Sequence, residues 1–146
     1  MIISTRGRYV LRVMIDLAER CDGGYVPMKD VAERQESSLK YLEKILPVLT
    51  KNNMIEGVHG KGGGYRITRK TECYSVGEIL RLTEGDLAPV ACLECEPKPC
   101  GRTAECRTLP MWQKFTRMMN EFFDSISIAD LMRDDFMDER GKYPHV

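Results

Sequence analysis

The sequence predicts a mostly α fold with a small β-wing: a winged helix-turn-helix unit followed by a long C-terminal helix. Three observations predict it. Apolar residues recur at helical spacing in three stretches before residue 52, a glycine-rich turn joins two strand-like runs after them, and a wide apolar stripe begins after residue 108. Recurrence at i, i+3, i+4 and i+7 is the mark of a half-buried helix, and short alternating runs around a glycine turn are that of a hairpin.

Ser4 or Thr5 can cap the first helix, where Val10, Val13, Met14, Leu17 and Ala18 form one stripe, and Cys-Asp-Gly-Gly at 21–24 ends it. A short second helix carries Met28, Val31 and Ala32 on one face, with Pro27 just outside it. Glu36-Ser37-Ser38 breaks that helix and caps a third, in which Leu39, Leu42, Ile45, Leu46 and Leu49 are expected to face inward. Pro47 lies inside this pattern and removes a backbone hydrogen bond, which predicts a kink or an early end. The runs Met54–Val58 and Tyr65–Thr68 flank His-Gly-Lys-Gly-Gly-Gly at 59–64, a hairpin with a glycine-rich tip. Ser75 and Glu78 match a capping box, and the helix they open, with Ile79 and Leu82 inward, ends near Gly85.

Residues 86–108 hold prolines and cysteines with little periodicity and are read as a loop. Thr108 can cap the last helix, with Pro110 tolerated in its first turn. Trp112, Phe115, Met119, Phe122 and Ile126 then follow 3-4-3-4 spacing, which fits burial against the chain's own domain and also a helix–helix seam between two copies, the reading favoured here. Cys21 and Cys73 sit near element ends and read as packing residues. The organisation is therefore 1–85, winged helix-turn-helix; 86–107, cysteine-rich loop; 108–132, dimerisation helix region; and 133–146, acidic tail, expected to fray.

The chain has 146 residues, 42% hydrophobic and 30% charged, an ordinary globular composition that argues against wholesale disorder. No apolar run approaches the roughly 18 residues of a membrane span, and MIISTRGRYV lacks the apolar stretch of a signal peptide. A cytoplasmic protein without membrane contact is expected. In that reducing setting six cysteines point to metal, cluster or redox chemistry in preference to disulfides. The net charge of zero conceals a dipole: residues 1–70 hold 13 Lys+Arg against 8 Asp+Glu, a balance of +5, and the remainder balances it at −5. Such a chain offers one basic end to a polyanion.

A recognition helix exposes, opposite its core stripe, side chains able to bond base edges or phosphates. Ser37, Ser38, Lys40, Tyr41, Glu43 and Lys44 occupy those positions near the start of the third helix, Arg6 and Arg8 stand ready to grip the backbone, and His59 and Lys61 occupy the wing tip. The glycine run has no following Lys-Ser or Lys-Thr pair and joins two strands, which argues against a nucleotide loop. No nucleophile–base pair or carboxylate pair suggests an enzyme. Cys92, Cys95, Cys100 and Cys106, arranged Cys-x2-Cys-x4-Cys-x5-Cys, can converge on one centre of zinc or an iron–sulfur cluster, since both favour thiolates.

Together, Ser-Thr-Arg-Gly-Arg-Tyr at 4–9, Leu-Lys-Tyr-Leu-Glu-Lys-Ile-Leu at 39–46, Gly-Lys-Gly-Gly-Gly-Tyr at 60–65 and Glu-Gly-Asp-Leu-Ala-Pro at 84–89 resemble the Rrf2 family of bacterial winged-helix transcription regulators. The resemblance covers roughly residues 1–132. It implies a homodimer held by the long C-terminal helix, binding a palindromic operator in double-stranded DNA as repressor or activator. Cluster-binding members carry three cysteines before that helix, the last shortly before a tryptophan, and Cys100, Cys106 and Trp112 match that arrangement, with Cys92 the first by register. The implied cofactor is an iron–sulfur cluster of the [2Fe–2S] type, with zinc or no metal as the alternative. Some members take the fourth ligand from a histidine where this chain has Leu109, others from a partner's carboxylate where it has Arg8. Cys95 is then either an additional thiol or the fourth ligand. Members without a cluster imply thiols, zinc or a protein partner as the signal.

Overall fold

The computed structural model describes residues 3–20, 22–94 and 100–133. Its helices are α1 (Thr5–Glu19), α2 (Met28–Arg34), α3 (Leu39–Lys51), α4 (Val76–Glu84), α5 (Leu109–Ser125) and α6 (Ile128–Leu131). The strands β1 (Ile55–Val58) and β2 (Gly64–Ile67) pair antiparallel, Ile55 opposite Ile67 and Val58 opposite Gly64. The predicted wing is thus present, one residue shorter at each outer end.

The α1 stripe supplies the centre of the core: Val10, Val13, Met14 and Leu17 are fully buried. They meet Val31 and Ala32 of α2, Leu42, Ile45 and Leu49 of α3, Ile79 of α4 and Ile128 of α6. Ser4 caps α1, its hydroxyl accepting the Gly7 N–H at 3.2 Å. A Cβ at Gly7 would have to push the Glu84 carboxylate aside, so α1 and α4 pack backbone to side chain here. The Ser4 hydroxyl in turn donates to Glu84 Oε1 at 2.6 Å.

An isolated two-stranded hairpin is marginal in water. Here β2 gains a second neighbour, since Val26 and Tyr65 exchange backbone hydrogen bonds of 2.8 and 2.9 Å. Tyr74 closes the base of the wing. Its ring is fully buried, and its hydroxyl accepts the N–H groups of Thr68 (2.9 Å) and Arg69 (2.8 Å) while donating to the Met54 carbonyl at 2.8 Å.

Several expectations are corrected. α3 runs through Pro47 to Lys51 without ending early. The missing bond would have joined Pro47 to the Glu43 carbonyl on the exposed face, where water can replace it, while buried Leu46 and Leu49 hold the next turn. Leu39 is 38% exposed, because the inward stripe begins one turn later at Leu42. Ser75 accepts the Glu78 N–H, but the Glu78 carboxylate pairs with Arg69 and does not complete the box. Thr108 makes no side-chain cap. Cys73 is exposed in a short 3-10 turn and is not a packing residue; Cys21 lies outside the described residues.

The C-terminal stripe divides between two tasks. Met119 is buried within the chain against Val76, Leu80 and Leu87, so it belongs to the protomer's own core where a seam position was expected. Ile126 lies past the end of α5 and packs into the same cluster, its carbonyl accepting the Val76 N–H at 2.8 Å. Arg81 of α4 fastens α5 by pairing with Asp124 and donating to Asn120 at 2.9 Å. The apolar surface left on α5 is Met111 and Phe115, both exposed, with the half-buried Trp112 edge-on to Phe115. Phe122 is half-buried and packs at a tilt on Phe123. Residues 134–146, nearly all of the acidic tail, lie outside the described residues. Among those described, no helix is long and apolar enough to cross a membrane.

Candidate functional site

Burying Leu42, Ile45, Leu46 and Leu49 turns the opposite face of α3 to solvent, and Lys40, Glu43 and Lys44 stand exposed there. Ser38 caps the helix, its hydroxyl oxygen accepting the Tyr41 N–H at 3.1 Å. The turn from α2 passes through Glu36, whose φ of 49° lies in the left-handed region, and closes with the Ser37 N–H on the Ala32 carbonyl at 2.9 Å. Ser37 is half-buried in that turn and Ser38 exposed. Tyr41 is half-buried as well, its ring standing edge-on to Tyr9 of α1 at 5.5 Å.

Arg6 and Arg8 are exposed on the first turn of α1, and Arg8 donates to the Thr5 hydroxyl at 3.1 Å. At the wing tip His59 and Lys61 are exposed, Lys61 between glycines at φ 99° (Gly60) and 77° (Gly62) that a side chain would strain. A shallow hollow lined by Glu43, Pro47, Thr50 and Lys51 of α3 and by Tyr65 of β2 sets the outer face of the helix beside the wing. Among the described residues Lys40, Lys44 and Lys61 enter no ion pair, so their charge is available to a polyanion. Arg66 of β2 is used differently, pairing with Glu56 and lying 4.7 Å over the Tyr25 ring.

The connection from α4 to α5 carries the thiols. Cys92 is half-exposed in the 3-10 turn Ala91–Leu93. Cys100 is exposed, and its carbonyl accepts the Thr103 N–H at 3.1 Å and the Thr103 hydroxyl at 2.8 Å. Cys106 follows the turn Thr103–Glu105, its Sγ 3.4 Å from the Thr108 hydroxyl. That hydroxyl foremost, with the backbone N–H groups of Thr108 and Leu109, holds the Cys106 thiol below its ordinary range against a slight opposing effect of burial. Thr108 therefore serves the sulfur where a helix cap was expected. Among the described residues no three metal-binding side chains are gathered together, so Cys92, Cys100 and Cys106 share one connection without converging. Cys95 lies outside the described residues. By donor type the connection fits a thiolate-bound centre: three accessible thiols, one already biased toward thiolate.

Residues 3–134 match the Rrf2 family, described as iron-dependent transcriptional regulators. The chain belongs to the Rrf2 family. It is 39% identical over 134 residues to the protein rrf2 of Nitratidesulfovibrio vulgaris, covering 92% of this chain and 89% of that one. It is 33% identical over 134 residues to the HTH-type transcriptional regulator IscR of Aliivibrio salmonicida, covering 92% and 79%. Its fold is similar to that of CymR, the global cysteine regulator of B. subtilis, with a TM-score of 0.73 at 30% identity over 90% of this chain and 96% of CymR. IscR of T. potens is similar at a TM-score of 0.72 and 34% identity, over 92% and 88%. As an Rrf2-family member this chain is a DNA-binding transcriptional regulator and not an enzyme.

Around the helix-turn-helix of this Rrf2 regulator lie groups that the apolar spacing did not reveal. Asp16 is 2% exposed although it sits among the core residues of α1. Its place at i+3 from Val13, inside the stripe, was the available signal. The short α6 also escaped periodicity, yet Ser127 and Asp130 form a complete capping box that could have marked its start.

Proposed function

We propose that this Rrf2 regulator acts as a homodimer on a palindromic operator in the cytoplasm, and that an iron–sulfur cluster held by its cysteine loop sets its affinity. Residues 1–85 form the DNA-reading head, 86–107 the sensor loop and 108–132 the dimerisation region, with Met111, Trp112, Phe115 and Phe122 on the seam. The helix α3 enters the major groove with Ser37, Ser38, Lys40, Tyr41, Glu43 and Lys44. Arg6, Arg8, His59 and Lys61 hold the flanking backbone. The observation that carries the sensor reading is the set of three accessible thiols on the single connection between the head and α5. The likeness to proteins named IscR and the family's description as iron-dependent support it.

Cys92, Cys100 and Cys106 would hold the cluster, with Cys95 or a group of the second subunit as fourth ligand. Bound there, it supplies a thiolate-ligated centre sensitive to oxygen, nitric oxide and iron supply. The chain's own part is to present accessible sulfur, to favour the thiolate of Cys106 through Thr108, and to tie the loop's start to α1 through Glu84 and Ser4.

The likeness to CymR favours a second reading, a cluster-free regulator that uses thiols, zinc or a protein partner. Anaerobic purification with an absorption spectrum and iron, sulfide and zinc analysis separates the two. A coloured protein that loses its visible absorbance on Cys106→Ala supports the cluster. A colourless one with zinc in stoichiometric amount favours the second reading.

A further inference from the structure

A regulator that reads sequence must hold its recognition helix at a fixed angle, and here the device that holds it includes a buried charge. Asp16 is 2% exposed on α1, and both of its carboxylate oxygens are engaged. Arg34, the last residue of α2, reaches Oδ1 through Nη2 at 2.6 Å and Oδ2 through Nε at 3.0 Å. Gln35, the C-cap of α2, donates to Oδ2 at 2.9 Å. The Gln35 side chain then accepts from Arg12 Nε at 2.8 Å, and Arg12 Nη2 approaches the Gln35 backbone carbonyl at 3.3 Å. Arg12 also lies over the Tyr9 ring at 4.9 Å, and Tyr9 stands edge-on to Tyr41 of α3. The network thus grips the end of α2 just before the left-handed residue Glu36 and returns to α3 through Tyr41.

We infer that Asp16, acting through Arg34 and Gln35, is a positioning residue for sequence-specific DNA recognition: it fixes the turn between α2 and α3 and thereby the angle at which α3 meets base edges. The inference rests on the reading that α3 reads the operator. It assigns Asp16 no contact with DNA, since its carboxylate is buried and would repel phosphate. A buried carboxylate with both oxygens engaged specifies one arrangement of the groups that reach it from the surface, and removing its charge leaves those partners without a fixed geometry. Phosphate contacts tolerate a changed angle because they follow charge; bidentate base contacts do not, because they need aligned donors and acceptors.

The test uses the full-length protein as purified and two DNA probes, a duplex selected from random sequence by the wild type and a shuffled duplex of equal length. Affinities are measured over a series of salt concentrations. Asp16→Asn keeps the shape and removes the charge, and should lower the selected-to-shuffled preference by about tenfold, the scale of one misread base pair. Binding to the shuffled duplex and the salt slope should stay as in the wild type. Gln35→Ala, at a half-buried position, should lower the preference in the same direction and carries the test should Asp16→Asn fail to fold. An equal loss on both probes would mean a smaller folded fraction and would overturn the inference, as would an unchanged preference in a folded variant. A wild type that selects no sequence would overturn the operator reading together with it, whereas a selective wild type with equally selective variants would overturn the positioning role alone.

Discussion

Replacing Tyr74 by Phe removes one oxygen and leaves the ring, so its effect can be worked from the hydrogen bonds that oxygen makes, including a longer one of 3.2 Å with the Thr68 hydroxyl. The hydroxyl accepts from Thr68 N–H and Arg69 N–H and donates to the Met54 carbonyl, at 2.8–2.9 Å. A neutral hydrogen bond contributes about 1 kcal/mol net, and a buried group left unpaired costs about 1–3 kcal/mol. Thr68 and Arg69 are exposed, so water can reach their N–H groups, and the Met54 carbonyl keeps the Thr68 hydroxyl at 3.2 Å and the Thr68 N–H at 3.3 Å. The full penalty is therefore not incurred, and a loss of about 2 kcal/mol is expected from these bond energies. The packing of Arg69 over the ring at 4.8 Å survives the change. Urea unfolding of both proteins at one concentration, followed by far-ultraviolet circular dichroism, should show a lower midpoint at an unchanged slope. A loss below about 0.5 kcal/mol would refute the reasoning, since it would mean that water replaces all of these bonds at no cost.

Three further outcomes are expected. Burial raises the pKa of Asp16, but hydrogen bonds from Arg34 and Gln35 and the charges of Arg34 and Arg20 outweigh it and leave the pKa lowered. Its stabilising contribution is then complete above the unfolded value of about 3.9 and is lost as pH falls through the lower folded value, so Asp16→Asn should flatten the acid limb of stability measured by urea unfolding. Gly7→Ala in the first turn of α1 would stabilise by up to about 0.5–1 kcal/mol, but the new Cβ must push the Glu84 carboxylate off the Ser4 hydroxyl; thermal unfolding should show no gain, whereas the same substitution compared with Glu84→Ala alone should show one. Thr108→Ala should slow alkylation of Cys106 in the metal-free protein at neutral pH, measured by peptide mass spectrometry, because the hydroxyl that favours the thiolate is gone.

The helices and the wing were legible because their signals are local. The α1 and α3 stripes, the Ser4 and Ser38 caps and the glycines at 60–64 each state a conformation within a few residues. What spacing cannot state is which surface a stripe meets. Met119 and Ile126 fit a seam between subunits as well as they fit α4, and only the folded chain places them on Val76 and Leu80. Asp16 was only half legible for a related reason: a carboxylate inside an apolar stripe is buried only if donors cover it, and beyond Arg20 at i+4 these are Arg34 and Gln35, 18 and 19 residues away. In the cysteine loop, donor type was readable and convergence was not, because spacing fixes the length of chain between thiols and leaves its path open.

Division of the α5 stripe has a consequence for mass action. With Met119 committed to the protomer's own core, the exposed apolar side chains of that helix are Met111 and Phe115, five and nine positions beyond Cys106. A second subunit bound to the seam proposed above would therefore cover the helix next to the reactive sulfur. Two equilibria that share a surface are linked, and the linkage is reciprocal. Whatever factor association imposes on the modification or ligation of Cys106, that chemistry must return to the dissociation constant of the dimer. The dose of a thiol-directed signal needed for half-response would then shift with the concentration of the regulator itself.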